Sequence, residues 1–137
     1  MRALLLVCGL AAVAGCSTLP DPDPHQAWVD LAAGSDNSLK AVKVDNHDWT
    51  DPRYFEVQPG AHELWVTFQF PVAPTNIGPV AQPLWRDCKM KLSFKDFSAG
   101  QRYRLEAGSL GFQPWAKLYD EQRYVVGKAQ PAGCQAT

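Results

Sequence analysis

The sequence predicts an all-β fold, a small antiparallel β-sandwich, and three observations carry that expectation. Short stretches alternate apolar and polar side chains, the two-residue period of a half-buried strand. Clusters of Pro, Gly, Asn, Asp and Ser separate these stretches, as turns between strands require. No stretch repeats its apolar residues convincingly at the 3.6-residue period of an amphipathic helix.

The elements follow in order. Residues 26–33 read as a short helix or an irregular strand. Leu39 to Asp45 is a short strand, closed by the polar cluster Asn46-His47-Asp48-Trp49-Thr50-Asp51-Pro52. Arg53 to Val57 resumes strand character, and Gln58-Pro59-Gly60-Ala61 turns the chain. His62 to Phe70 then alternates cleanly, with Leu64, Val66, Phe68 and Phe70 on one face and Glu63, Trp65, Thr67 and Gln69 on the other. A proline-studded loop occupies Pro71 to Pro83. Cys88 to Lys95 places Cys88, Met90, Leu92 and Phe94 opposite Lys89, Lys91, Ser93 and Lys95. The turn Phe97 to Gly100 leads to a strand at Gln101 to Leu105, followed by Pro114 to Asp120 and Tyr124 to Val126. There is no internal repeat.

The amino terminus has a different character. One positive charge at Arg2 precedes an apolar and small-residue run that ends at Cys16. That run is shorter than the roughly 18–20 residues a helix needs to cross a bilayer, and it suits the apolar region of a secretory signal. Val13-Ala14-Gly15-Cys16 resembles the lipobox of bacterial lipoproteins. The resemblance implies a signal peptide over 1–15, removed by cleavage, and diacylglycerol attached to the thiol of Cys16. It also implies a stable anchor, since each buried methylene contributes about 0.8 kcal/mol and one acyl chain alone is marginal. Ser17 and Thr18 after the cysteine resemble an outer-membrane address. Residues 16–25 then form the lipidated cysteine and a proline-rich tether, extended and short. Residues 26–137 form a single β domain of modest core.

Without Arg2, 12 of the 13 basic residues remain against 14 acidic ones. A near-neutral chain argues against nucleic acid as a partner. Cys88 and Cys134 are left once Cys8 and Cys16 are accounted for. Exported proteins occupy compartments where disulfides persist, there is no CxxC pair, and no histidine lies near either cysteine in sequence. A disulfide between them is therefore expected.

Two further resemblances concern the domain. Val42-Lys43-Val44-Asp45, followed by Tyr54 to Val57 and then Pro59-Gly60-Ala61-His62 with an alternating apolar run, resembles the PEGA-type surface modules. Those are small β-sandwiches on exported or anchored proteins; the link after Asp45 here lacks their usual Asp-Gly turn. The stretch Phe97 to Leu105 is also similar to segments of small proteobacterial lipoproteins. Ser98-Ala99-Gly100-Gln101-Arg102-Tyr103, Trp115-Ala116-Lys117 and Cys134 resemble, more distantly, the lipid-anchored periplasmic inhibitors of C-type lysozyme. The serine–glycine spacing is one residue short of that pattern, and Cys88 falls later than it would place the first cysteine.

No catalytic constellation emerges. His25, His47 and His62 are scattered, and none has the spacing of a metal site. Asp45, Asp48 and Asp51 read as turn-capping residues rather than a calcium loop. No cofactor and no metal is expected. The most suggestive surface is basic: if 88–95 and 101–106 pair across the Phe97–Gly100 turn, Lys89, Lys91, Lys95, Arg102 and Arg104 form one patch. Anionic lipid headgroups, lipopolysaccharide phosphates or an acidic protein would suit it; a solvated face that resists edge aggregation is the alternative. Trp65, on an otherwise polar face, is either a further contact or packing beneath the 71–83 loop. The sequence thus leads to a non-catalytic, lipid-anchored binding or envelope-maintenance module, periplasmic and at the outer membrane. Its partners would be the membrane through the lipid and an envelope protein or anionic envelope component. Inhibition of C-type lysozyme or another cell-wall hydrolase is the alternative.

Overall fold

The computed structural model describes residues 18–72 and 84–136; the signal segment, Cys16 and the greater part of the proline-studded loop lie outside them. The described residues fold as ten strands: β1 (Ala27–Ala33), β2 (Ser38–Val44), β3 (His47–Asp48), β4 (Tyr54–Val57), β5 (Gly60–Val72), β6 (Leu84–Phe97), β7 (Arg102–Leu110), β8 (Gln113–Tyr119), β9 (Val125–Lys128) and β10 (Gln130–Ala136). They form two five-stranded sheets, ordered β4-β1-β7-β8-β9 and β10-β6-β5-β2-β3. The all-β sandwich expected from the alternation is the fold observed. Every pairing is antiparallel except β1 with β7, which run parallel.

The core lies between the sheets and follows the period of two. From the second sheet, Leu64, Val66, Phe68, Phe70, Cys88, Met90 and Leu92 point inward; from the first, Val29, Phe55, Leu105 and Leu118 meet them, all essentially without solvent contact. No polar or charged side chain among the described residues is buried. Phe94, Phe97 and Tyr103 close one end with edge-to-face ring contacts at 4.8–5.8 Å. Tyr103 also accepts the Ser98 amide at 3.0 Å, which fixes the β6–β7 connection.

One open expectation is settled and two change. Of the short helix and the irregular strand open for residues 26–33, the strand is observed over 27–33, because β1 sits between β4 and β7 and satisfies its backbone on both sides. The polar cluster after Asp45 contains β3: Asp45 and Asn46 both take positive φ (49° and 66°), as a type I′ link between paired Val44 and His47 requires. Asn46 thus stands where a glycine is more usual. Finally, β6 and β7 do not pair. β6 has β10 and β5 on its two edges and β7 has β1 and β8, so neither leaves an edge for the other, and the two lie in different sheets. Gly100, at φ +73°, makes the crossing, and its amide bonds to the Gln26 carbonyl at 2.9 Å.

That same bond helps attach the end of the tether. Thr18 to Asp23 has no regular structure, but the Asp23 amide donates to Glu56 at 2.9 Å and the Gln26 amide to the Asp23 carbonyl at 3.1 Å. Cys88 and Cys134 stand opposite one another in the β6–β10 ladder and are joined by the expected disulfide.

Candidate functional site

The separation of β6 from β7 splits the five-charge basic patch. Lys89, Lys91 and Lys95 belong to the second sheet and Arg102 and Arg104 to the first, on opposite outer faces of the sandwich. The two faces treat their cations differently. On the first sheet Arg102 binds Asp30 through two nitrogens, at 2.6 and 3.0 Å, and its guanidinium lies over the ring of Trp28. Arg104 pairs with Glu106 at 2.9 Å. Burial raises the Asp30 carboxyl, but the hydrogen bonds from Arg102 and Trp28 and the charges of Arg102 and Arg104 outweigh it, leaving the group below its ordinary value. Trp28, stacked on Tyr54 with centroids 4.2 Å apart, is sealed beneath these groups. The two arginines are thus matched by carboxylates, while Lys117, over the Trp115 ring at 5.5 Å, and its ladder partner Lys128 form no ion pair among the described residues.

The outer face of the second sheet is open, and sequence reasoning missed half of it. The β5 register sets Trp65 between Lys43 of β2 and Lys91 of β6, and Thr67 between Lys40 and Lys89. Two ladder rows therefore read Lys–Trp–Lys and Lys–Thr–Lys. Strands lie about 4.8 Å apart and residues two apart on a strand about 6.8 Å, so four ammonium stems frame Trp65 and Thr67 in a block roughly 10 by 7 Å at the backbone. In a regular strand Lys40 and Lys43, three residues apart, would face opposite ways. The ladder shifts between Ala41 and Lys43, and this bulge brings both lysines to the same side. The signal in the sequence is that an unbroken alternation from Leu39 and Ala41 would drive Lys43 into the core.

None of the four lysines forms an ion pair with a described residue. Lys91 lies over the Trp65 ring at 5.7 Å, and the indole N–H donates to Glu63 at 2.8 Å. Trp65, half-buried, is thus held by its strand neighbours at the centre of the array. A trough of about 550 Å³ runs beside it, lined by Val42, Lys43, Asn46, Asp48, Trp65, Thr67, Lys89 and Ala132. A second hollow, about 340 Å³, shares Thr67, Lys89 and Ala132 and extends the trough past Asp87 and Gln135.

Lys95 stands apart, in a hollow with Asp45, His62 and Glu63 at the end of the sandwich nearer the tether. There the Asp45 carboxylate accepts the Glu63 amide at 2.8 Å and contacts His62 Nδ1 at 2.5 Å, while His62 Nε2 contacts the Gln58 carbonyl at 2.6 Å. Burial raises the Asp45 carboxyl, but the Glu63 amide, the His62 ring and the charges of His62 and His47 together outweigh it and leave the group below its ordinary value. Asp45 and His62 are therefore committed to the turn. Asp51 likewise bonds Arg53, and among the described residues no three His, Cys, Asp or Glu side chains converge as metal ligands. Of the segments that resemble lysozyme inhibitors, Ser98 to Gly100 is a turn near the tether and Arg102-Tyr103 open β7, while Trp115 and Lys117 lie on the neighbouring strand β8, on the outer face of the first sheet. Cys16 lies outside the described residues.

No protein family matches the chain, and no curated protein or solved structure was found to be similar to it.

Proposed function

We propose that this chain is a lipid-anchored, non-catalytic binding module of the bacterial outer membrane. In this reading it faces the periplasm and holds an anionic component of the envelope against the outer face of its second sheet. The observation that carries the reading is the set of four lysines that the β2–β5–β6 register gathers around Trp65 and Thr67. Arg102 and Arg104 on the first sheet pair with Asp30 and Glu106, whereas Lys40, Lys43, Lys89 and Lys91 share one surface and form no ion pair with a described residue. Two ammonium groups about 7 Å apart in water repel by roughly 0.6 kcal/mol. The four lysines outnumber the carboxylates of Asp48, Glu63 and Asp87 beside them, and the repulsion that remains is recovered where the face meets an anion.

The anchor rests on Val13-Ala14-Gly15-Cys16 and on the extended run from Thr18 that joins the fold at Asp23 and Gln26. Its test is Cys16→Ala: the variant should lose palmitate labelling and leave the membrane fraction, and a variant that still pellets with membranes refutes the anchor. The binding module is separated from a hydrolase inhibitor by a lysis assay with C-type lysozyme. Unchanged lysis at micromolar protein fits the module, and stoichiometric inhibition replaces it with the inhibitor.

A further inference from the structure

The shape of the lysine face narrows what it binds. We propose that the trough is a site for a linear anionic glycan lying across the strands, with acidic groups on the lysines and a sugar ring against Trp65. This inference rests on the proposed binding role of the same face.

Every strand of the second sheet contributes to the trough: Asp48 from β3, Lys43 from β2, Trp65 and Thr67 from β5, Lys89 from β6 and Ala132 from β10. Five strands span about 20 Å, room for a short oligosaccharide and far more than a single small anion occupies. The chemistry of the walls alternates. Ammonium groups suit carboxylate, phosphate or sulfate, the indole offers an apolar ring face to sugar C–H groups, and Thr67 supplies a hydroxyl. Asp48 and, past Lys89, Asp87 line the same trough. Carboxylates there repel a dense sheet of lipid phosphates but accept hydrogen bonds from sugar hydroxyls. The surface is also concave, which a planar bilayer cannot follow. An acidic peptide could not bind here by strand addition, because the trough crosses strands whose backbones are already joined in the ladders.

The test uses the detergent-solubilised full chain and isothermal titration against oligogalacturonates, with malto-oligosaccharides of equal length as neutral controls. Phosphatidylglycerol vesicles serve as the lipid control. Oligogalacturonate should bind, and affinity should fall at least tenfold in Lys43→Gln/Lys89→Gln and severalfold in Trp65→Phe. It should stay unchanged in Lys95→Gln, with all variants melting as the wild type does. Neutral oligomers should bind at least a hundredfold more weakly. The site is overturned if oligogalacturonate fails to bind at millimolar concentration, if neutral chains bind as tightly, or if Lys95→Gln matches the double variant. Vesicle binding lost in the double variant, without glycan binding, overturns the glycan but leaves the binding face standing. Binding of neither probe, with a face that remains fully reactive in cells, removes both.

Discussion

Reducing the Cys88–Cys134 bond should destabilise the domain and, specifically, release β10. The bond spans 46 residues, so the loop-entropy relation gives a stabilisation of about 4 kcal/mol. For a domain of this size that corresponds to roughly 10–20 °C in melting temperature. The effect should be concentrated at one edge. β10 pairs only with β6, and its ladder is interrupted between Pro131 and Cys134, where Gly133 takes φ +126°. Cys88 is fully buried and Cys134 is partly exposed, so Cys134→Ser removes the bond with little disturbance of the core, whereas Cys88→Ala adds a packing defect. Thermal melts with and without a phosphine reductant, followed by amide exchange, provide the assay. Reduction should lower the midpoint, and exchange should accelerate first in Gln130–Ala136 while Gly60–Val72 stays protected. A reduced protein that melts within about 2 °C of the oxidised one, with β10 still protected, would refute the stapling argument. Because Ala132 lines the trough, reduction should also weaken oligogalacturonate binding.

Three other outcomes follow from particular residues. Gly108 faces Trp115 across the β7–β8 ladder, and a Cβ there would run into the indole; Gly108→Ala should displace the ring, shift its fluorescence and cost about 1 kcal/mol in a denaturant titration. Asn46→Ala forces alanine into positive φ at the β2–β3 link and should cost about 1–2 kcal/mol in the same titration, while Asn46→Gly should not. Asp30 and Asp45 are depressed in the folded state, so their contribution is complete above the unfolded carboxyl value of about 3.9 and is lost as pH falls through the folded values. Stability should therefore decline from about pH 5 downward, and Asp45→Asn should flatten that decline; an unchanged slope would show that the Asp45 carboxylate, held by the Glu63 amide and His62, contributes nothing.

How much of this was legible in the sequence depends on range. The alternation of Leu64 to Phe70 and of Cys88 to Phe94 identifies faces correctly because a strand's period is a local property. The Cys88–Cys134 pairing follows in the sequence from compartment and from the fate of the other two cysteines, and the facing register supplies its geometry. What could not be read is which sheet each strand joins. A turn such as Phe97 to Gly100 suits a hairpin and a sheet-to-sheet crossing equally well. The choice is made by distant partners, the Gln26 carbonyl and the parallel ladder with β1. That one choice removed Arg102 and Arg104 from the candidate site. The bulge at Val42 replaced them with Lys40 and Lys43, whose common face depends on a ladder shift that no local pattern displays.

The most direct measurement is lysine reactivity in intact cells compared with the purified protein, read by mass spectrometry after brief acylation. If the outer face of the second sheet holds an anionic envelope component, Lys40, Lys43, Lys89 and Lys91 should be protected in the cell, while Lys95, Lys117 and Lys128 label as they do in solution. Equal labelling of all seven in both settings would contradict the binding face.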